Sequence, residues 1–156
     1  NIFRPWGYQI GHQTEWAKLL LQLDALQPAD WHLPCAQRLF DTAVERGWDA
    51  EHGGQYSGMA PDGSICDDRK YHWVQAESVA AAAVLAVRTG DERYWQWYDR
   101  IWTHCWAHFV DHEHGAWFRI LHRNNGNTTR EKSNAGKVDY HNMGACYDVL
   151  GALGGV

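Results

Sequence analysis

The hexapeptide Asp49-Ala50-Glu51-His52-Gly53-Gly54 returns 62 residues later as Asp111-His112-Glu113-His114-Gly115-Ala116. Each copy follows a stretch with helical apolar spacing, so the chain is built from a repeated helical unit. In the stretch before the first copy, Leu33, Ala36, Leu39, Phe40, Ala43 and Val44 form one stripe. Before the second, Trp95, Tyr98, Trp102, Cys105, Trp106 and Phe109 do the same and leave Arg93, Gln96 and Arg100 for solvent. The helix after the first copy has a different character. Trp73 to Thr89 runs almost continuously apolar through Val79-Ala80-Ala81-Ala82-Ala83-Val84-Leu85, which suits a helix buried on most sides. The unit is therefore an outer amphipathic helix, a loop and an inner apolar helix.

Periodicity and stop signals predict helices over 13–27, 31–47, 73–89, 91–110 and 140–153. In the first of these Trp16, Leu19, Leu20, Leu23 and Leu26 recur at helical spacing, and Pro28 ends it. Asp30 is placed to cap the second, Gly90 to end the third and Asp91 to cap the fourth. The glycine-rich stretches predict β-hairpin character at about 53–68 and 115–130. The expected fold class is all-α: an α/α toroid with short β-hairpins in its loops. Two and a half units do not close a ring. The chain is expected to be the C-terminal half of one barrel domain spanning 1–156, its partner helices belonging to a missing N-terminal half. A start without Met, running at once into a dense motif, agrees with that.

Composition narrows the partners. The formal net charge of -5 is interleaved along the chain, so there is no nucleic-acid footprint or membrane-binding patch. No apolar run reaches the roughly 18 residues of a membrane span. Cys35, Cys66, Cys105 and Cys146 lie far apart without a C-x-x-C pair and read as reduced thiols of a cytoplasmic protein. His112-Glu113-His114 lacks the spacing of a zinc-binding H-E-x-x-H helix, so neither metal nor other cofactor is expected. Ten tryptophans exceed what packing alone explains, and aromatic faces match the C–H faces of sugars. The expected partner is a small sugar, and a homodimer is left open.

Three inner helices start with polar and aromatic clusters: Gly11-His12-Gln13-Thr14-Glu15-Trp16, Tyr71-His72-Trp73-Val74-Gln75-Ala76-Glu77 and Asp139-Tyr140-His141-Asn142. If the helices run side by side, these starts meet at one mouth of the ring. His12 and Glu15 share a helical face, as do Trp73 and Glu77. Two histidines, two carboxylates and a tryptophan would then line one site. Two imidazoles on opposite sides of a sugar can exchange the roles of acid and base across C2. Taken singly, His12 or His141 would serve equally well as a packed or capping imidazole.

The run Arg4-Pro5-Trp6-Gly7-Tyr8-Gln9-Ile10-Gly11-His12-Gln13-Thr14-Glu15-Trp16 closely resembles the G-H-x-x-E-W signature of the N-acylglucosamine 2-epimerase family, which has cellobiose 2-epimerases, mannose isomerases and sulfoquinovose isomerase among its members. Trp73-Val74-Gln75-Ala76-Glu77 resembles its W-x-Q-A-E motif, and Asp139-Tyr140-His141 its C-terminal histidine motif. The resemblance implies a six-hairpin α/α barrel and a 2-epimerase or aldose–ketose isomerase that works through an enediolate. It makes His12 and His141 the acid and base, with Glu15 and Glu77 orienting histidine or binding hydroxyls. Trp73 would stack on the sugar and Arg4 would bind its oxygens. It also implies that further site residues lie in the absent half, so that this chain alone is inactive. The competing enzyme is a glycoside hydrolase or lyase on the same kind of barrel, with Glu15, Glu77 or Asp139 as acid and base. A non-catalytic sugar-binding scaffold is the third reading.

Overall fold

The computed structural model describes residues 6–132 and 140–154. In chain order it contains β1 (Tyr8–Gln9), α1 (Ile10–Leu26), α2 (His32–Gly47), β2 (Gly58–Met59), β3 (Ile65–Asp67), β4 (Lys70–Tyr71), α3 (His72–Thr89), α4 (Glu92–His104), β5 (Ile120–Leu121) and α5 (Tyr140–Ala152). A π-helical turn over Cys105–Phe109 prolongs α4. Helix α1 packs on α2 and α3, and α3 packs on α4 and α5. The inner row is thus α1, α3, α5, backed by α2 and α4, and this is part of a two-layer α/α toroid.

Helix α3 is buried without a break from Val74 to Ala83, as its apolar run requires. Its alanines let the neighbouring helices approach closely. One core cluster joins Leu20, Leu21, Phe40, Val44, Leu85 and Tyr94, and a second joins Val79, Ile101, Phe109, Trp117, Leu121 and Val149. Gly90 ends α3 in the left-handed conformation at φ 70°, and the Asp91 carboxylate accepts the Arg93 N–H at 2.9 Å to start α4. Asp30 caps nothing. Helix α2 follows Trp31 without a side-chain cap, and the acceptor at this corner is Asp24 from the end of α1. Its carboxylate takes the Ala29 N–H at 3.3 Å, faces His32 and pairs with Arg88.

The stripe read as the core face of α1 is also displaced. Trp16, Leu19, Leu23 and Leu26 are exposed, whereas Ile10, Thr14, Ala17, Lys18, Leu21 and Asp24 are buried. An inner helix is apolar on more than one side, so periodicity alone cannot choose which side meets α2 and α3.

The 62-residue repeat extends well beyond the hexapeptide. Strand β1 pairs antiparallel with β2, and 62 residues on, β4 pairs with β5 in the same way. The bridge Trp48–Gln55 has its counterpart in Val110–Trp117. Asp49 accepts the N–H groups of Glu51 and His52, as Asp111 accepts those of Glu113 and His114. Lys70 reaches Asp49 at 3.0 Å, and Lys132 reaches Asp111 at 2.7 Å. Strands β2 and β3 make the hairpin expected within 53–68. The second loop has the same hairpin character: β5 pairs with β4 at the start of α3, and on its other side Leu121 bridges Asn127 antiparallel, with the Thr128 N–H donating to Ile120 O at 3.1 Å. Each loop thus folds back onto the chain that leads into an inner helix.

Candidate functional site

The folded-back loops fix where the inner helices begin. The Ile10 N–H donates to Ser57 O at 3.1 Å and the His72 N–H to Arg119 O at 3.0 Å, once more a 62-residue pair. Gln75, within the W-x-Q-A-E motif, clamps the first loop from α3: its Oε1 accepts the Gln55 N–H and its Nε2 donates to Gln55 O. These bonds bring His12 and Trp73 to the same end of the inner row. The Trp73 ring lies 5.2 Å from that of His12 and 5.5 Å from that of His141. The tryptophan of the middle helix is therefore the shared neighbour of both imidazoles.

Gly11 makes room for that ring. A Cβ at this position would run into the six-membered ring of Trp73 and the Val74 side chain. Gly11→Ala is expected to displace Trp73 and to cost about 1–3 kcal/mol of stability through overpacking, despite the better helix propensity of alanine. Urea unfolding would measure it.

Charge is organised around Glu77. Its Oε1 accepts a hydrogen bond from His141 Nδ1 at 2.6 Å, and its Oε2 lies 2.7 Å from Lys18 Nζ. Lys18 also meets Asp148 Oδ2 at 2.9 Å, and Gln22 holds the other oxygen of Asp148 at 2.8 Å. Burial alone pushes the Glu77 carboxyl up, but the bonds and charges of His141 and Lys18 outweigh it and hold the group below the usual carboxylate range. Lys18 answers in kind: burial favours its neutral form, yet Glu77 and Asp148 raise its pKa and keep it an ammonium. An ionised carboxylate only accepts, so His141 Nδ1 carries the hydrogen, and in the neutral imidazole the lone pair is on Nε2.

Glu15 joins the cluster, with one carboxylate oxygen, a Glu77 oxygen and a His141 nitrogen all within 4.8 Å of one another. These donor atoms are close enough together to share a cation, and the Lys18 ammonium already pairs with Glu77 Oε2. Tyr140 lies at the rim, its hydroxyl pKa raised by burial and by the charges of Glu15 and Glu77. His72 is kept neutral: burial, aided by His141 and Arg119, lowers its pKa to about 4.

Of the residues named from sequence, His12, Glu15, Trp73, Glu77 and His141 are gathered at this one end, and Arg4 and Asp139 lie outside the described residues. The imidazole of His141 is oriented by Glu77 at 2.6 Å, whereas either carboxylate had been open to that role. His112 turns its Nε2 to Trp106 O at 2.8 Å, and His114 faces Asp111 and Glu113. Sequence reasoning missed Lys18 and Asp148. The signal for Lys18 was present: it is the lone charge in Trp16-Ala17-Lys18-Leu19-Leu20-Leu21 and lies three residues beyond Glu15.

The sequence profile of the N-acylglucosamine 2-epimerase (GlcNAc 2-epimerase) family matches residues 1–145. The chain belongs to the N-acylglucosamine 2-epimerase family. It is 56% identical over 153 residues to D-mannose isomerase of Marinomonas mediterranea, a match covering 98% of this chain and 39% of the relative. A crystal structure of a D-mannose isomerase superposes with a TM-score of 0.94 at 56% identity, over 97% of this chain and 39% of the other. The chain therefore spans about two fifths of the length of these family members. An α-mannanase of glycoside hydrolase family 76 from Bacteroides thetaiotaomicron gives a TM-score of 0.71 at 14% identity, over 92% of this chain and 43% of the other. That likeness concerns the fold alone, and the family's α/α barrel is the architecture they share.

Proposed function

We propose that this chain forms part of an isomerase that shifts the C2 proton of a free sugar, with His12 and His141 as its acid and base. The observation that carries the reading is the 2.6 Å hydrogen bond between His141 Nδ1 and an ionised Glu77. It leaves Nε2 of His141 as a base and fixes its direction. With a sugar stacked on Trp73, one imidazole removes the proton at C2 while a donor protonates the carbonyl oxygen, so that the enediolate is captured as its enediol. Return of a proton to the opposite face of C2, with loss of the O1 proton, gives the epimer. Return to C1, with loss of the O2 proton, gives the 2-ketose. Glu15 and Arg4 bind the hydroxyls. The 56% identity to a D-mannose isomerase favours the second outcome, with an aldohexose such as D-mannose as substrate.

The rest of the ring is supplied by the remainder of a longer polypeptide, so the 156-residue chain alone is expected to be inactive. A cytoplasmic setting agrees with four unpaired cysteines, and among the described residues no helix is long and apolar enough to cross a membrane. A homodimer remains open. The carboxylate-based hydrolase fares less well, because its general acid needs a raised pKa and Glu77 is shifted the other way.

The test is incubation of the complete polypeptide with free hexoses, N-acylhexosamines and disaccharides in deuterated water, followed by NMR. The expected result is conversion of D-mannose to its 2-ketose, with solvent deuterium entering at C1 of the ketose and at C2 of any aldose that is re-formed. Shortened glycans without exchange at C2 would overturn the reading.

A further inference from the structure

We propose that Lys18 is a positioning residue of this reaction: bridging Asp148 and Glu77, it locks the Glu77 carboxylate onto His141 Nδ1 and so aims Nε2 at the substrate. The inference rests on the isomerase reading and adds a residue to it. Lys18 stands on α1, Glu77 on α3, and Asp148 and His141 on α5, so the bridge ties together the three inner helices whose starts form the site. Lys18 is 8% exposed and Glu77 3%. A lysine is rarely buried without a pairing that holds its charge, and here both partners are carboxylates within 2.9 Å.

The geometry makes Lys18 more than a structural bridge. Glu77 has two oxygens and each is bonded on one side, Oε2 by Lys18 Nζ and Oε1 by His141 Nδ1. Fixing one oxygen fixes the plane of the carboxylate, and with it the direction of the hydrogen bond from His141. The groups facing Glu77 are Lys18 and Glu15 from α1 and Tyr140 and His141 from α5, with Asp148 behind Lys18. Lys18 is thus the fixed cation in a cluster otherwise made of acids and an imidazole, and without it burial and the Glu15 charge both act to neutralise Glu77.

The test compares Lys18→Met, Lys18→Arg and Asp148→Asn in the complete polypeptide. Lys18→Met is expected to lower kcat by about 10²-fold, the cost of a reacting group misplaced by around an ångström, with KM changed far less. The acidic limb of its kcat–pH profile should move to higher pH, because Glu77 now protonates more readily. Lys18→Arg should return that limb towards its original place, and Asp148→Asn, which loosens Lys18 but also removes a like charge from beside Glu77, should lower kcat by less and move the limb to lower pH. A readout independent of turnover is the His141 Nδ1–H proton resonance, which a short bond to a carboxylate places far downfield and which Lys18→Met should move or broaden. If Lys18→Met folds with unchanged kcat, pH limb and resonance, the proposal is wrong. If it does not fold, Asp148→Asn decides, and an unshifted limb and resonance there overturn the proposal. Absence of isomerase activity in the unmodified protein would instead overturn the functional reading, while the resonance would still report whether Lys18 positions Glu77.

Discussion

Replacing His12 or His141 by Asn is expected to lower turnover by about 10²–10⁴-fold while fold and sugar binding persist, since general acid–base catalysis is worth about that much. The two variants should not be equivalent. His141 is held from behind by Glu77 at 2.6 Å, whereas His12 is exposed and lies against Trp73. They stand on the two flanking inner helices with the Trp73 ring between them, so a sugar stacked there as proposed would meet them on different sides. One variant should therefore still exchange the C2 proton of one epimer with solvent deuterium while failing to form the other, because a single base removes and returns a proton on its own face. The measurement is steady-state turnover of each variant beside NMR of deuterium incorporation, with circular dichroism to verify the fold. Near-normal turnover in both variants, with loss of activity in Glu15→Gln or Glu77→Gln, would replace the two-histidine reading by a carboxylate-based one.

Lys70→Met is expected to destabilise the protein by about 3–5 kcal/mol, the usual cost of leaving one member of a buried ion pair unpartnered. Lys70 is wholly buried and Asp49 is 1% exposed. The ammonium also donates to Arg123 O at 2.6 Å and to Asn125 Oδ1 at 2.8 Å, so its removal strips three acceptors at once. The repeat supplies an internal control. Lys132 makes the equivalent pair with Asp111 at 2.7 Å, but its side chain is 26% exposed and water can replace it. Lys132→Met should therefore cost about 1 kcal/mol or less, in the range of solvated pairs. Urea unfolding of the two variants checks the contrast, and equal losses would show that burial does not set the difference.

Much of the site was legible in sequence because its residues occupy the first turns of helices that are strongly marked. His12 and Glu15 lie three apart, Trp73 and Glu77 four apart, and helical geometry alone puts each pair on one face. The repeat of Asp49 in Asp111 marked a repeated unit, and the contacts of the Trp73 ring with His12 and His141 show that the starts of α1, α3 and α5 meet. What failed were two choices between faces or partners, the buried side of α1 and the cap of α2. Asp30 had the right chemistry for a cap, yet Asp24 was nearer once α1 and α2 had folded into a hairpin. Strand β5 bridges Asn127 in its own loop as its turn residues predict, but its second partner β4 lies about fifty residues earlier, which no local signal gives.

Sequence by itself determined the helices, their inner and outer ranks and the end of the ring at which chemistry collects, because these follow from local periodicity, caps and a repeat. Tertiary structure alone decided which side of α1 is buried, that Lys18 points inward to Glu77, and that Glu77 is the carboxylate that orients His141. The reason is physical: an inner helix apolar on several sides carries no single amphipathic stripe to fix its rotation. The pairing of charges across three helices depends on that rotation, to which α2, α3 and the folded-back loops all contribute.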